Sequence, residues 1–319
     1  LDLDGFIHGN VPCSEVEASN CDDKDYWDQV CLPCEEAYPW DEAPNTPGVD
    51  FEWMEGTLED GETIRTIDPE TVTNVLLPTD DGEGELDLYF VPSHGDDPDL
   101  AQTTILYNHG NYGGIEHYVS RIRMLHEGGY NVLAWDYRGY GKSLPASAPS
   151  PQQFIDDAGQ VWAAAPDHVP DPDRIISYGY SLGGIPAVEM AVVGDPCALF
   201  LEAAFTSMSL IAQSNSGIRM KGGFLSQGLF ENDQKLENYE NPLLVMVGSE
   251  DHSFPVWAEQ ELVDAAASTA KELWVPEGVN HGISSGGIPE AGLTTYLDKM
   301  ATFLDDNATG CLTSDDTSD

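Results

Sequence analysis

The stretch that most constrains this chain is Gly-Tyr-Ser-Leu-Gly-Gly at residues 179–184. The apolar run before it, 174–178, predicts a buried strand, and 185–193 predicts a helix. Small residues two positions before and two positions after a serine let the backbone turn tightly between a strand and a helix. We therefore expect the Ser181 hydroxyl to project from the end of a sheet. The N–H of Leu182, at the helix start, then points to where a developing oxyanion would lie.

Strands and helices are expected to alternate along most of the chain. Turn-rich separators divide the front into segments at 51–58, 63–67, 72–77 and 86–91, which predict antiparallel strands. Continuous apolar runs, as at 103–107, predict strands covered on both faces. Further strands are predicted at 131–135, 198–202, 243–247 and 272–275, and helices at 116–127, 151–165, 256–267 and 289–304. This order predicts an α/β fold, with a mostly parallel sheet, helices on both faces and antiparallel strands at one edge.

Ser181 becomes a strong nucleophile only if a base takes its proton and an acid orients that base. His281 lies in a loop directly after the last predicted strand, and Asp251 follows the strand before it. Parallel strands place such loops at one edge of the sheet, so the sequence predicts a triad of Ser181, His281 and Asp251. Glu250 ranks second as the acid. His252 is the alternative base, but its side chain and that of the adjacent Asp251 would diverge.

A second oxyanion donor is expected in the loop His109–Gly114, which has the sequence His-Gly-Asn-Tyr-Gly-Gly and follows a predicted strand. Glycines let backbone N–H groups come close to a developing charge. We predict that the N–H of Asn111 acts together with that of Leu182, with Tyr112 as a substitute donor. His109 is expected to brace the loop and not to take part in catalysis.

Three segments together resemble the α/β-hydrolase superfamily, and more narrowly its serine hydrolases of the Bem46-like branch: His109–Asn111, Asp136–Ser143 and Gly179–Gly184. Ala204–Ser207, after the next strand, is also similar to that branch. The likeness covers about residues 51–304, and the chain order serine, aspartate, histidine agrees with it. It implies a serine-dependent hydrolase, often acting on carboxylic esters or lipid-like acyl groups. It also implies that Asp136–Ser143 is structural, with its aspartate and arginine binding backbone near the sheet end.

The resemblance implies that substrate preference is set by the insertion between the sixth and seventh core strands, here 205–241. This insertion is under forty residues long and carries several apolar side chains. It predicts a small helical cap and a partly apolar acyl pocket, and excludes a large lid. Tyr112 and Tyr180 are predicted to bind substrate as aromatic walls. Trp257 is expected either in such a wall or in the core.

The charge balance is extreme, with 57 Asp and Glu residues against 12 Lys and Arg and a formal net charge of −45. Nucleic acid and anionic membranes are therefore poor partners, because phosphate binding needs clustered Lys and Arg. Two interpretations of the acidic surface compete: adaptation to high salt, where charges are screened within about 3 Å at 1 M, and an exported protein from an ordinary environment that is merely acidic. We favour the first and predict halotolerance. Neither a calcium-loop motif nor an apolar run of eighteen residues occurs, so no metal, cofactor or membrane span is expected.

The six cysteines are unevenly placed, with four of them near the start: Cys13, Cys21, Cys31 and Cys34. The C-x-x-C at 31–34 suits either a zinc site or disulfides. The even number, the missing initiator Met and the scarcity of Lys favour disulfides, with Cys197 paired to Cys311 and the first four paired among themselves. The chain is therefore expected to be secreted, periplasmic or at the cell surface. Residues 1–50 are predicted to form an irregular Cys-rich extension ahead of a hydrolase domain at 51–319.

These features predict hydrolysis of a small-molecule or lipid-like ester, with a short- to medium-chain acyl group, through an acyl-enzyme on Ser181. The nearest alternative is a peptidase or amidase that uses the same triad. The alternative of a different class is a non-catalytic exported binding protein on a retained hydrolase fold. Turnover of amide substrates would distinguish a peptidase or amidase from an esterase. Labelling by a fluorophosphonate would distinguish an enzyme from a non-catalytic binding protein.

Overall fold

The computed structural model describes residues 65, 67–111, 114–145, 149–207, 228–282 and 287–313, with only the backbone at 116 and 117. Within these ranges there are eight strands and six α-helices, and the two types alternate from the third strand onward. The strands are β1 (Thr73–Pro78), β2 (Glu85–Val91), β3 (Thr104–Asn108), β4 (Asn131–Trp135), β5 (Ile175–Tyr180), β6 (Ala198–Glu202), β7 (Leu243–Met246) and β8 (Lys271–Trp274). The helices are α1 (Val119–Glu127), α2 (Pro151–Ala164), α3 (Gly184–Val193), α4 (Asn232–Leu236), α5 (Val256–Ala265) and α6 (Leu293–Asn307).

The strands form one sheet in the order β1-β2-β4-β3-β5-β6-β7-β8. β1 pairs antiparallel with β2, and β2 with β4, whereas all later neighbours are parallel. The predicted α/β class, with antiparallel strands at one edge of a parallel sheet, is confirmed. Because β3 and β5 are neighbours at the centre, Asn108 lies opposite Gly179. The loops that follow these two strands therefore leave the sheet side by side.

Both faces of the central strands are buried. Ile105 and Tyr107 pack into a core shared with α1 and α6, whereas Leu106 between them packs into a core shared with α2 and α3. A third cluster joins β6 and β7 to α5, with Leu199 and Leu201 on the strand side. Alternate residues thus meet helices on opposite faces, which explains why these strands are continuous apolar runs in the sequence.

The predicted strand at 63–67 does not form at Arg65 or Ile67. The carbonyl oxygen of Arg65 instead accepts hydrogen bonds from the guanidinium of Arg123, 3.0 Å from Nε and 2.8 Å from Nη2. A side chain therefore takes the acceptor that a neighbouring strand would have used. The predicted segment 51–58 lies outside the described residues.

The predicted helix at 289–304 is divided into two parts. A 3-10 turn over Ile288–Ala291 precedes α6, and Gly292 between them has φ +105°. That left-handed backbone suits glycine and cannot continue a right-handed helix, so α6 begins only at Leu293. By contrast α2 begins close to its predicted start, because the Ser150 side chain accepts from the N–H of Gln153 in a capping box.

A disulfide joins Cys197 and Cys311, the pair expected from the sequence. Cys197 directly precedes β6, so the bond ties the end of the C-terminal segment to the N-terminal ends of the parallel strands. The Thr103 hydroxyl reinforces this connection by donating to the Cys311 carbonyl at 2.6 Å. The four cysteines of the predicted extension lie outside the described residues, as do positions 208–227 of the predicted cap. Among the helices of the described ranges, none is long and apolar enough to cross a bilayer.

Candidate active site

Ser181 lies at the sharp turn between β5 and α3. A 3-10 turn over Ser181–Gly183 follows the strand and leads directly into the helix. Ser181 has φ +54°, in the left-handed region that non-glycine residues rarely adopt. A Cβ at Gly179 would lie 2.5 Å from the carbonyl oxygen of Gly183, and a Cβ at Gly183 would lie 2.0 Å from that of Asn108. The two glycines thus permit close backbone approach, while the strained residue is the serine itself.

The structure brings Ser181, His281 and Asp251 together at the C-terminal ends of β5, β8 and β7. Nε2 of His281 lies 3.1 Å from Oγ of Ser181, and its Nδ1 lies 2.8 Å from Oδ2 of Asp251. The other Asp251 oxygen, Oδ1, accepts from the backbone N–H groups of Ser253 and Phe254, at 2.8 Å each. A carboxylate can only accept, so Nδ1 carries the imidazole proton and Nε2 accepts from the serine hydroxyl. This is the geometry that a nucleophile, a base and an orienting acid require.

The alternative acid and base predicted beside Asp251 lie elsewhere. Glu250 and His252 are both exposed, whereas Asp251 is only 3 % exposed. The backbone of Glu250 has a different use, because its N–H donates to the carbonyl oxygen of Val279 at 2.9 Å. That bond ties the loop of Asp251 to the loop of His281. Of the three candidates in this loop, the structure thus joins only Asp251 to the imidazole.

The loop after β3 packs against the turn that carries Ser181. The close approach of Asn108 to Gly183 brings the two backbones into contact. Farther along the loop, the Tyr140 hydroxyl donates to Oδ1 of Asn111 at 2.6 Å and holds that side chain. Leu182, at the start of the helical turn, is only 4 % exposed. The roles of the Asn111 and Leu182 N–H groups as oxyanion donors stay predictions.

His109 braces this loop from within the core. Its side chain is fully buried and stacks on the ring of Tyr137, with centroids 4.1 Å apart and planes inclined by 22°. The Tyr137 hydroxyl donates to the His109 carbonyl oxygen at 2.6 Å, and Nδ1 of His109 lies 2.7 Å from the carbonyl oxygen of Gly110. The imidazole therefore holds the loop backbone, as expected, and lies away from the hydrogen-bonded chain of Ser181.

The chain is similar to known proteins over most of the described region. A family profile described as serine aminopeptidase, S33, matches residues 100–219. The uncharacterized protein YfhR of Escherichia coli K12 is 30 % identical over 216 residues, which cover 66 % of this chain and 74 % of that protein. The chain belongs to the α/β-hydrolase superfamily of serine hydrolases.

Solved structures agree with this α/β-hydrolase fold. The Pyrococcus furiosus esterase Pf2001 superposes with a TM-score of 0.58 at 21 % identity, covering 74 % of this chain and 91 % of that one. Est1E from Butyrivibrio proteoclasticus, bound to ferulic acid, superposes with a TM-score of 0.59 at 17 % identity, covering 72 % and 99 %. At such low identity these likenesses establish the fold alone. The superfamily predicted from the motifs is confirmed by the family profile and the relative described above.

The Asp-Tyr-Arg-Gly-Tyr-Gly-Lys-Ser segment of this α/β-hydrolase is structural, but its arginine binds differently from the expectation. Asp136 binds backbone as predicted, since Oδ1 accepts from the N–H of Ile115 at 2.8 Å. Arg138 instead donates to two carboxylates, Asp157 at 2.8 and 2.6 Å and Asp81 at 2.7 Å. The predicted backbone contact of Arg138 is therefore wrong. Asp157 on α2 and Asp81 in the β1–β2 turn lie within reach of the guanidinium. Charge-assisted hydrogen bonds to these carboxylates are stronger than bonds to neutral backbone carbonyl groups.

The aromatic residues predicted around the substrate occupy different places. Tyr180 is 2 % exposed, and its hydroxyl donates to the carbonyl oxygens of His281 and Gly282, at 3.2 Å each. The structure thus places Tyr180 against the imidazole and the backbone of its loop, and the predicted contact of Tyr180 with substrate stays a prediction. Trp257 is 48 % exposed at the start of α5, which excludes a role in the core. Tyr112 lies outside the described residues.

Two buried groups near the site were not predicted. Phe254 is 5 % exposed and packs on His281, with ring centroids 5.2 Å apart. Glu259 on α5 is fully buried; burial, opposed by a backbone bond and aided by the charge of Asp251, raises its pKa well above the ordinary value. In the sequence, the position of Phe254 three residues after Asp251, in the same loop, was the one feature that could have indicated its place beside the site. Within the described ranges no group of three or more His, Cys, Asp or Glu side chains could hold a metal ion.

Proposed function

We propose that this chain hydrolyses carboxylic esters through an acyl-enzyme on Ser181. The observation that carries the proposal is the hydrogen-bonded chain from Ser181 through His281 to Asp251, at 3.1 and 2.8 Å. The positive φ of the serine supports it, because backbone strain of this kind concentrates at functional sites. Membership of the superfamily makes the chain a hydrolase, and the esterases among its structural neighbours support an ester as substrate.

The first step acylates the serine. Oγ of Ser181 attacks the ester carbonyl carbon while Nε2 of His281 takes the hydroxyl proton, and Asp251 stabilises the resulting imidazolium. The electron pair of the carbonyl moves to its oxygen, which the N–H groups of Asn111 and Leu182 would hold. One such donor is worth about 2.7–4 kcal/mol in the transition state. The imidazolium then gives its proton to the leaving alcohol as the C–O bond breaks.

The second step returns the enzyme to its starting state. A water molecule attacks the acyl carbon while Nε2 of His281 takes one of its protons. The second oxyanion collapses, the bond to Oγ of Ser181 breaks, and the proton on His281 returns to that oxygen. The carboxylic acid is released, so each turnover consumes one ester and one water and yields one acid and one alcohol.

The proposed substrate carries a short- to medium-chain acyl group. Apolar Leu182, next to the serine in the chain, and Phe254, which packs on the imidazole, both belong to the core shared with α2 and α3. The insertion between β6 and β7, at 203–242, is too short for a large separate lid domain. These features support an apolar acyl group of modest length.

A second candidate function is cleavage of peptide or amide bonds. It is favoured by the description of the matching family profile as serine aminopeptidase. The same serine, histidine and aspartate can cleave an amide, with His281 protonating the leaving amine in place of an alcohol. An amide requires that proton transfer more strictly, because an amine anion is a poorer leaving group than an alkoxide.

The test compares p-nitrophenyl acetate, butyrate and a longer-chain ester with aminoacyl p-nitroanilides, each at low and high salt. The proposal expects turnover of the esters, a preference for acetate or butyrate, and loss of turnover in Ser181→Ala. His252→Ala is the matched control, because this exposed histidine lies beside Asp251 and outside the hydrogen-bonded chain. Ester turnover that survives in Ser181→Ala would overturn the mechanism. A higher kcat/KM on the anilides than on the esters would instead favour the peptidase.

A further inference from the structure

A buried ion pair lies next to the candidate site and has no place in the mechanism described above. Arg121 on α1 is 3 % exposed, and Glu202 at the end of β6 is fully buried. Nη1 of Arg121 lies 2.7 Å from both carboxylate oxygens. The hydroxyl of Tyr178 also donates to Glu202. Because burying two charges is costly and such pairs generally add little net stability, the position of this pair calls for another explanation.

The ion pair holds the ring of the residue that precedes the serine. The guanidinium carbon of Arg121 lies 3.8 Å from the ring centroid of Tyr180. This is a cation–π contact in a desolvated setting, where such contacts are strongest. Glu202 fixes the guanidinium and the guanidinium fixes the ring. The orientation of the Tyr180 side chain is therefore set by the ion pair.

Tyr180 in turn contacts the base. Its ring lies 5.5 Å from the imidazole of His281, with the planes inclined by 21°. Its hydroxyl donates to the carbonyl oxygens of His281 and Gly282, at 3.2 Å each. Burial raises the pKa of this hydroxyl above its ordinary value, so it stays protonated and remains a donor at neutral pH.

The carbonyl end of His281 has no spare room. A Cβ at Gly287 would lie 2.6 Å from the His281 carbonyl oxygen and 3.2 Å from Nη2 of Arg121. His281 itself belongs to a loop without regular secondary structure that follows β8. Its backbone is therefore positioned by these close neighbours and not by a helix or strand of its own.

From these contacts we propose that Tyr180, oriented by the Arg121–Glu202 pair, is a positioning residue that sets His281 at the correct distance from Ser181. Tyr180 acts through the imidazole and touches no substrate. The inference rests on the proposed function, because it assigns His281 the role of the base. It adds residues on α1 and β6 to the machinery, although neither segment carries a reacting group.

The distance from Nε2 to Oγ makes the site sensitive to such positioning. At 3.1 Å it lies near the upper end of the hydrogen-bond range for a base, about 2.6–3.2 Å. A small displacement of the His281 backbone takes Nε2 out of reach of the serine proton, and a misplacement of about 1 Å can cost about 100-fold in rate. Tyr180→Phe keeps the ring and removes only the hydroxyl. We expect kcat to fall about tenfold, with KM changed less than about twofold.

Tyr107→Phe is the matched control. Tyr107 lies on the neighbouring strand β3, is also buried, and its hydroxyl has no hydrogen-bond partner among the described residues. Steady-state kinetics with p-nitrophenyl butyrate should therefore show a loss in Tyr180→Phe and none in Tyr107→Phe. Equal kcat in the two variants would refute the proposal. A raised KM with unchanged kcat in Tyr180→Phe would refute it as well, because that result indicates direct contact with substrate.

A second measurement is independent of turnover. In protein labelled with ¹⁵N-histidine, the proton on Nδ1 of His281 reports on its hydrogen bond to Asp251. We expect a protected low-field signal in the wild type and in Tyr107→Phe, and faster exchange with water in Tyr180→Phe. If the wild type shows this pattern but hydrolyses no substrate, the proposed function fails and the positioning role stands. Identical exchange in all three proteins, with equal thermal midpoints, would overturn the positioning role itself.

Discussion

Replacing Asp251 with Asn tests the hydrogen-bonded chain at its buried end. Oδ1 of Asp251 accepts from two backbone N–H groups, and this oxygen must remain an acceptor. The amide of Asn would therefore present its NH₂ group to Nδ1 of His281, where Oδ2 now lies at 2.8 Å. An NH₂ group only donates, so Nδ1 must become the acceptor and the imidazole proton moves to Nε2. A protonated Nε2 can no longer take the proton of Ser181.

The expected loss follows from this change of tautomer. In a serine triad the same substitution leaves the geometry intact and lowers kcat about 10⁴-fold. That factor corresponds to about 5.5 kcal/mol of transition-state stabilisation. Because Asn has nearly the same shape as Asp and keeps both backbone bonds, we expect the thermal midpoint of Asp251→Asn to stay close to that of the wild type.

The assay is kcat/KM for p-nitrophenyl butyrate, with Glu250→Gln as the matched control. Glu250 is the neighbouring carboxylate and is exposed. We expect a loss of about 10⁴-fold in Asp251→Asn and less than about twofold in Glu250→Gln. If Asp251→Asn keeps more than about a tenth of the activity, or if Glu250→Gln is the variant that loses it, Asp251 does not orient His281 as described.

Three further predictions concern the frame around the site. Gly183→Ala would place a methyl group 2.0 Å from a backbone oxygen and should lower kcat/KM about 100-fold, whereas Gly159→Ala, with open space around its Cβ, should not. Burial, with a neighbouring carboxylate, raises the pKa of Asp87 to about 6, so this group favours the folded state less as pH rises from 4 to 6. Urea titrations should show Asp87→Asn more stable by about 2–3 kcal/mol at pH 7.5, with no gain at pH 4. Replacing both Cys197 and Cys311 with Ala opens a loop of 114 residues and should cost about 2–5 kcal/mol in the same titrations.

The sequence predicted the central strands well because burial on both faces leaves a continuous apolar run. The strand at 198–202 has its predicted ends. β5 continues two residues beyond its predicted end, since Gly179 and Tyr180 still pair with Leu201 and Glu202 of β6. In the sequence Gly179 and Tyr180 belong to the turn motif, but in the structure their backbone still pairs within the sheet. A pattern of side chains cannot show where backbone pairing stops.

The three residues of the hydrogen-bonded chain were predictable because each follows a strand, and parallel strands bring such positions to one edge. The support beneath them was not. Arg121 and Glu202 are 81 residues apart, and only the packing of α1 beside the end of β6 brings them together. Strand alternation also places Tyr178 and Tyr180 on one face without showing that helix α1 covers that face with a charge. Partners of this kind depend on tertiary packing, which short motifs do not encode.

The central claim is that Ser181 is the nucleophile, and covalent labelling tests it most directly. The intact protein would be treated with a fluorophosphonate, its mass would be measured by mass spectrometry, and a digest would locate the adduct. We predict one adduct per chain, on Ser181, formed about 10⁴-fold more slowly in Asp251→Asn and absent in Ser181→Ala. An unlabelled wild type, or an adduct that persists on another residue in Ser181→Ala, would contradict the mechanism.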